Sequence, residues 1–238
     1  MELHGEDHGL FYEVREKLWN GSINITIRLH VDDTVKEFLL SIHRNSYFAL
    51  YFESIVSYFK LFIPSIYNKP VWLEYDGQPI KWNVPVGVLY DYLYLPSVII
   101  ARANDTTTTQ IKNSWVLELK YDKYPSGEII PFIYQNDDLS INYKRMLNEV
   151  IVNQLKQSCY VLNSSSKPIM GLSESDSNHL WYGIETHNWM TFNAINSKII
   201  PTFDAFRIPI RIYVSGEVTV IQNPISPTKG LEYFQAFR

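Results

Sequence analysis

The chain has 238 residues, 46% of them apolar, with 17 tyrosines, 12 phenylalanines and a formal net charge of −4. A negative charge argues against nucleic acid as a partner, because binding to the phosphate backbone requires a basic face. A single cysteine excludes an internal disulfide and suits a reducing compartment. No apolar run approaches the roughly 20 residues of a membrane-spanning helix, and the polar N-terminal segment is unlike a signal peptide. These features predict a soluble cytoplasmic protein.

The first ten residues predict a mobile polar tail. His4 and His8 could ligate a metal, but no third ligand lies nearby, so no metal is expected there. The sequence also has no glycine-rich phosphate-binding motif, and no cofactor is expected. Residues 11–19 predict a short helix that ends at Asn20 and Gly21.

The next stretch has the two-residue period of β-strands. Apolar and polar residues alternate strictly over residues 22–30, which predicts a half-buried strand. Residues 35–43 repeat the alternation after a turn at Asp32 and Asp33. The two strands therefore form a predicted hairpin.

The part up to residue 124 continues with further helix and strand patterns. These are a helix from Ser46 to Pro64, a strand running into a turn at Asp76-Gly77, a short helix capped by Asn83, a polar loop over residues 103–110 and a closing strand over residues 115–121. This order is that of a ubiquitin-like β-grasp domain over residues 11–124. The lack of repeated βα alternation argues against a doubly wound α/β sheet.

A long amphipathic helix is predicted over residues 137–163. Its apolar residues recur at three- and four-residue steps, and Asp137 and Asp138 are expected to cap its first turn. Residues 125–136 before it form a predicted linker.

Lys156 points away from the apolar face of this helix. At four residues on either side of it lie Val152 and Tyr160, so the lysine stands on the outer face between two apolar neighbours. An ordinary surface lysine with an apolar stem is the alternative interpretation.

The sequence after the long helix predicts two further helices and a second hairpin. Two further helices over residues 173–184 and 187–200 complete a helix-rich domain that spans residues 137–200. Residues 207–214 and 217–224 then predict a second hairpin, at the start of a domain over residues 205–238. The predicted fold class is α+β.

Three segments together carry a resemblance to a known family. WLEYDGQPIKWNVPVGVLYDYL, VNQLKQSCYVLNSSSK, and HLWYGIETHNWMTFNAINSKI leading into FRIPIRIY closely resemble the fungal autophagy-related protein 5 family, in the family's order. The resemblance implies an N-terminal ubiquitin-like domain, a helix-rich domain and a C-terminal ubiquitin-like domain. In the family the last domain continues with a helix and further strands, whereas this chain stops at Arg238, so only the start of that domain is expected.

The resemblance also implies a site. One lysine on the long helix is expected to be the isopeptide acceptor for the C-terminal glycine of the ubiquitin-like autophagy protein 12, and Lys156 stands at the Lys-Gln step of the family. Lys167, in a predicted flexible loop, is the competing candidate. Val152 and Tyr160 are expected to face the attached protein. An ordinary lysine is almost wholly protonated at pH 7, so we expect Lys156 to be a substrate of external enzymes.

Other chemistry has weaker support in the sequence. Cys159 lies at the edge of the apolar stripe without a neighbouring basic group, and His179 and His187 fall in later helices. Glu74, Asp76 and Asp91 show no spacing that indicates a glycosidase or a metal site. We therefore expect no intrinsic active site and no enzyme activity in the isolated chain.

The resemblance implies a function as an autophagy scaffold. The conjugate is expected to bind the coiled-coil autophagy protein 16 and to act like a ligase that promotes lipidation of a ubiquitin-like modifier. The activating and conjugating enzymes of the pathway are expected partners, and the location is the preautophagosomal structure, with peripheral membrane association. The alternatives are a noncovalent β-grasp adaptor that is not conjugated and, less favoured, an unrelated hydrolase that uses Cys159.

Overall fold

The computed structural model describes residues 13–104, 114–200, 208–213 and 220–225, with the backbone path alone for residues 101–104 and the last two stretches. The polar tail with His4 and His8, residues 105–110 of the predicted loop and the chain beyond Ile225 lie outside this part. The chain divides into two units, residues 1–148 and 149–238, with the division inside the long helix.

A five-stranded sheet forms the centre of the first unit, in the order β2-β1-β5-β3-β4. The central strands β1 and β5 are parallel, and the other pairs are antiparallel. The strands are β1 Ser22–Val31, β2 Thr34–His43, β3 Trp72–Tyr75, β4 Gln78–Pro79 and β5 Trp115–Lys120. The predicted hairpin, the Asp76-Gly77 turn and the closing strand are confirmed. Together with the helix Phe52–Phe59, which packs on one face of the sheet, these strands form the β-grasp arrangement.

The helices differ more from their predictions. They are α1 over residues 13–19, α2 Phe52–Phe59, α3 Val86–Leu89, α4 Leu95–Asn104, α5 Tyr143–Asn163, α6 Lys167–Met170, α7 Glu174–Glu185 and α8 Trp189–Ile199. In the described residues, no helix is both long and apolar enough to cross a membrane.

The single helix predicted from Ser46 to Pro64 is wrong. A 3-10 turn at Phe48–Leu50 precedes α2, and a second 3-10 helix begins at Pro64. The tighter first turn places both Phe48 and Ala49 fully in the core. The stretch is apolar on nearly every side, so its sequence period could not locate these breaks.

Contrary to the prediction, Asn83 does not cap the following helix. Pro85 occupies the N-cap position of α3, with no side-chain cap hydrogen bond. The helix also runs further than predicted, through a π-helical turn at Tyr90–Tyr94 into α4. At its start, the Gly87 amide donates to the Arg44 carbonyl oxygen at 2.7 Å, and a Cβ atom on Gly87 would lie 2.8 Å from the Arg44 Cβ.

The core of the first unit lies between the inner face of the sheet and α2. Thr26, predicted on the polar face of β1, is also buried, with its hydroxyl 2.7 Å from that of Ser114. The predicted linker packs on this unit, since the Phe132 ring stacks on Trp82 with 4.5 Å between the ring centroids.

In the second unit, α6, α7 and α8 follow α5, and the described parts of the predicted C-terminal hairpin pair as antiparallel strands. These strands are β6 Ile208–Tyr213 and β7 Val220–Ile225.

Candidate functional site

The helix that carries the candidate lysine starts six residues later than predicted. The Asn142 side chain caps it by accepting from the Arg145 amide at 2.9 Å. Asp138 instead closes a local turn by accepting from the Ser140 amide at 3.0 Å, and Leu139 has a φ of 66°, which a right-handed helix excludes. The prediction that Asp137 and Asp138 cap the helix is therefore wrong.

One face of α5 is buried in the core of the second unit. Cys159 is 1% exposed, and Leu155 packs against the apolar cluster that Cys159 forms with residues of the later helices. The buried members of this cluster are Cys159, Ile169, Leu180, Ile195 and Ile199. These contacts fix which side of the helix turns outward.

Lys156 lies on the outward side, as predicted from the helical period. Its flanking residues Val152 and Tyr160 are 37% and 62% exposed. Lys156 itself is half-buried, and within the described part of the chain its ammonium group forms no hydrogen bond or ion pair. The structure thus places the three predicted site residues along one line of the helix.

Lys167 lies in a different element. The predicted flexible loop contains a helical turn, α6, which begins at Lys167 and is followed at once by Pro168. The Lys167 amide donates to the Ser165 hydroxyl at 3.2 Å, and the Lys167 carbonyl accepts from Gly171 at 2.8 Å. The side chain is exposed, but the backbone around it is ordered by these bonds.

Cys159 has the surroundings of a core residue. Its thiol donates to the Ser165 carbonyl oxygen at 3.4 Å, and the Asn163 side-chain amide donates to the Cys159 carbonyl oxygen at 3.0 Å. A buried thiol held in this way has neither the exposure nor the basic neighbour of a reactive cysteine. His179 is engaged elsewhere, with Nδ1 3.4 Å from the Ser175 hydroxyl.

The first unit contains a cavity of about 330 Å³ beside the ends of β1, β3 and β5. Its charged side chains already have partners, since Lys69 Nζ lies 2.7 Å from Asp122 Oδ1 and Lys120 Nζ lies 4.0 Å from Glu74 Oε2. No group of three potential metal ligands occurs among the described residues.

Comparison with known proteins identifies the family. The family model described as "Autophagy protein ATG5, UblA domain" matches residues 18–121, and "Autophagy protein ATG5, alpha-helical bundle region" matches residues 144–202. The chain belongs to the autophagy protein 5 family. Its role is therefore in autophagy, and the ubiquitin-like fold predicted for the N-terminal part is confirmed.

Curated relatives and a solved structure support the same family assignment. The chain is 50% identical to autophagy protein 5 of Debaryomyces hansenii, over 90% of this chain and 72% of the relative. It is 46% identical to that of Candida albicans, over 92% of this chain and 77% of the relative. The crystal structure of Kluyveromyces marxianus Atg5 matches with a TM-score of 0.67 and 29% identity, covering 90% of this chain and 79% of that one.

Proposed function

We propose that this protein is an autophagy scaffold that becomes covalently joined, through the Nζ atom of Lys156, to the C-terminal glycine of the ubiquitin-like autophagy protein 12. The observation that carries the proposal is the position of Lys156 on the outward side of α5, between the exposed side chains of Val152 and Tyr160. The family to which the chain belongs supplies the context for this chemistry.

The surroundings of Lys156 suit a substrate rather than a catalyst. An isopeptide bond forms when the neutral amine attacks the carbonyl carbon of the activated carboxyl group and displaces the thiol of the conjugating enzyme to which that carboxyl is bound. The lysine must therefore be reachable and must be able to leave its own contacts. Within the described residues no carboxylate holds the Lys156 ammonium in an ion pair that would have to break first. The proposal accordingly assigns activation to the activating and conjugating enzymes of the pathway, and no catalytic residue to this chain.

The conjugate would act like a ligase that promotes lipidation of a ubiquitin-like modifier. The coiled-coil autophagy protein 16 is the proposed noncovalent partner, and the proposed location is cytoplasmic and peripheral at the preautophagosomal membrane. These assignments rest on the family alone.

The test is a reconstituted conjugation reaction with the purified ubiquitin-like protein, its two enzymes and ATP. The full chain is compared with the Lys156→Arg and Lys167→Arg variants on a denaturing gel. Arginine keeps the charge and the helix propensity but cannot form the isopeptide bond under these conditions. We expect a heavier band for the unmodified sequence and for Lys167→Arg, and no such band for Lys156→Arg.

The other outcomes would contradict parts of the proposal. A band that persists in Lys156→Arg and is lost in Lys167→Arg would move the acceptor to α6. Absence of conjugation in every variant, with noncovalent binding of the same partner retained, would favour the adaptor alternative.

A further inference from the structure

Strand β2 is an edge of the first unit's sheet. Over all ten of its residues it pairs with β1, and within the described part of the chain no strand pairs with its other side. Long unpaired edges present a row of backbone donors and acceptors to which an extended segment can add.

The hairpin register shows which backbone groups of β2 are free. The Arg44 amide, just beyond β2, donates to the Gly21 carbonyl oxygen at 2.8 Å. Hydrogen-bonded pairs alternate along antiparallel strands, so the even-numbered residues of β2 bond to β1. The amides and carbonyls of the odd-numbered residues, from Val35 to Ser41, therefore point away from the sheet.

A row of half-exposed aromatic side chains lies beside this edge, on the face that packs against α2. The Phe38 ring lies 5.1 Å from the Tyr58 ring, and the Tyr58 ring lies 5.6 Å from Phe62, between centroids. Phe62 is 37% exposed. We call Phe38, Tyr58 and Phe62 the aromatic row.

The row ends in a positive charge. Lys36 Nζ lies over the Phe62 ring, 5.1 Å from its centroid, and forms no ion pair with any described residue. The adjacent acidic residue of β2, Glu37, is engaged by Arg28 at 2.8 Å on the opposite face of the sheet. The charge beside the aromatic row therefore favours an anionic group on whatever binds there.

We propose that β2 is a docking edge for an extended segment of another protein, which adds to the sheet as a sixth strand. Every second side chain of that segment would face the aromatic row, and the chemistry of the row calls for a large apolar residue there and an acidic residue next to it to meet Lys36. This is the pattern of β-strand addition, in which the backbone supplies affinity and alternate side chains supply specificity.

The test uses the full 238-residue chain and a display library of random octapeptides. We expect selection to enrich peptides that combine a large apolar residue with an acidic one. An enriched peptide, made synthetically and added to ¹⁵N-labelled protein, should shift and protect from exchange the outward amides of Val35, Glu37, Leu39 and Ser41. Selection of no such peptides, or shifts that avoid β2, would overturn the proposal.

Two variants separate the backbone and charge contributions. Leu39→Pro removes an outward amide at an edge position where proline is tolerated, and it should weaken binding about tenfold, whereas Leu39→Ala keeps the amide and should bind nearly as well. Lys36→Glu should weaken the acidic peptide about tenfold, and Lys81→Glu, which makes the same charge change at an exposed turn, should not. Circular dichroism establishes that each variant is folded.

The alternative occupant is a second copy of this chain. If sedimentation shows a dimer that Leu39→Pro dissociates, and the selected peptides bind elsewhere, the assignment of a foreign segment is wrong.

Discussion

Gly183 in α7 lies so close to Phe192 in α8 that a Cβ atom at residue 183 would be 2.7 Å from the Phe192 backbone nitrogen. Real Cβ atoms do not approach a backbone nitrogen this closely. The two helices can therefore pack at this distance only because residue 183 has no side chain.

Replacement of Gly183 by alanine is expected to destabilise the protein. In an exposed helix the same change would stabilise by up to about 1 kcal/mol, because alanine is the better helix former. Here the added methyl group pushes against backbone, and we expect a net loss of about 2 kcal/mol in the free energy of unfolding. Urea denaturation measures this loss in the free energy of unfolding. Gly127→Ala is the control, since nothing lies within 4 Å of a Cβ atom there; equal stability of the two variants would contradict the packing argument.

A buried hydroxyl ties the start of α5 to the ubiquitin-like unit. Tyr143, which is 2% exposed, accepts from the Val71 amide at 3.2 Å and donates to the Lys69 carbonyl oxygen at 3.3 Å. Burial raises the pKa of the Tyr143 hydroxyl, so it stays protonated and keeps this donor.

We expect Tyr143→Phe to lower the free energy of unfolding by about 1–2 kcal/mol, because the Val71 amide is left buried without an acceptor. Thermal unfolding followed by circular dichroism checks this. Tyr92→Phe, at a tyrosine that is 79% exposed, should change nothing measurable. A similar loss in both variants would show that the Tyr143 hydrogen bonds are not the cause.

The sequence predicted the sheet well because its strands carry strong local signals. The alternation over β1 and β2, with a two-residue turn between them, needs no distant information. The N-caps of α7 and α8 are likewise local, since Ser173 and Asn188 accept from the amides three residues on, at 3.0 and 2.9 Å. Where local signals compete, prediction failed. The side chain of Asp138 can cap a helix or close a turn. It closes a turn here, because it accepts hydrogen bonds from the amide and the hydroxyl of Ser140.

The candidate site was predictable in position only. Helical period alone put Lys156 on the side of α5 that is turned away from the centre of its apolar face, and the exposure of the flanking Val152 and Tyr160 agrees. The aromatic row beside β2 was missed, since Phe38 and Tyr58 are brought together by tertiary packing of β2 against a segment assigned to one continuous helix. No periodicity within a single element reports such a contact.

An ion pair between α7 and α8 should make the stability depend on acid pH. Lys198 Nζ lies 2.8 Å from Asp176 Oδ1, and its hydrogen bond holds the pKa of Asp176 below the ordinary value of 3.8. A carboxyl whose pKa is depressed by folding contributes stability above its unfolded pKa and loses that contribution as the pH falls through its folded pKa.

The difference in melting temperature between the natural sequence and Asp176→Asn is therefore expected to be constant from about pH 5 to 7 and to shrink below about pH 4. Added salt should reduce the difference, because the lysine is half exposed. In Lys198→Gln, an NMR titration should find the Asp176 pKa closer to 3.8. A difference that grows towards acid would contradict the assigned sign.

Within the proposed function, the side chains that flank Lys156 are expected to contact the attached protein. Alanine at both Val152 and Tyr160 removes exposed apolar surface on either side of the lysine while keeping a good helix former. We expect the rate of conjugation to fall about tenfold, which corresponds to a loss of about 1.4 kcal/mol of docking free energy, with unchanged helical content. The matched control replaces Tyr182 and Met190, which are 52% and 74% exposed on α7 and α8. If both double variants conjugate at the natural rate, conjugation of the lysine does not require the neighbouring apolar surface. Val152 and Tyr160 would then have no part in the site.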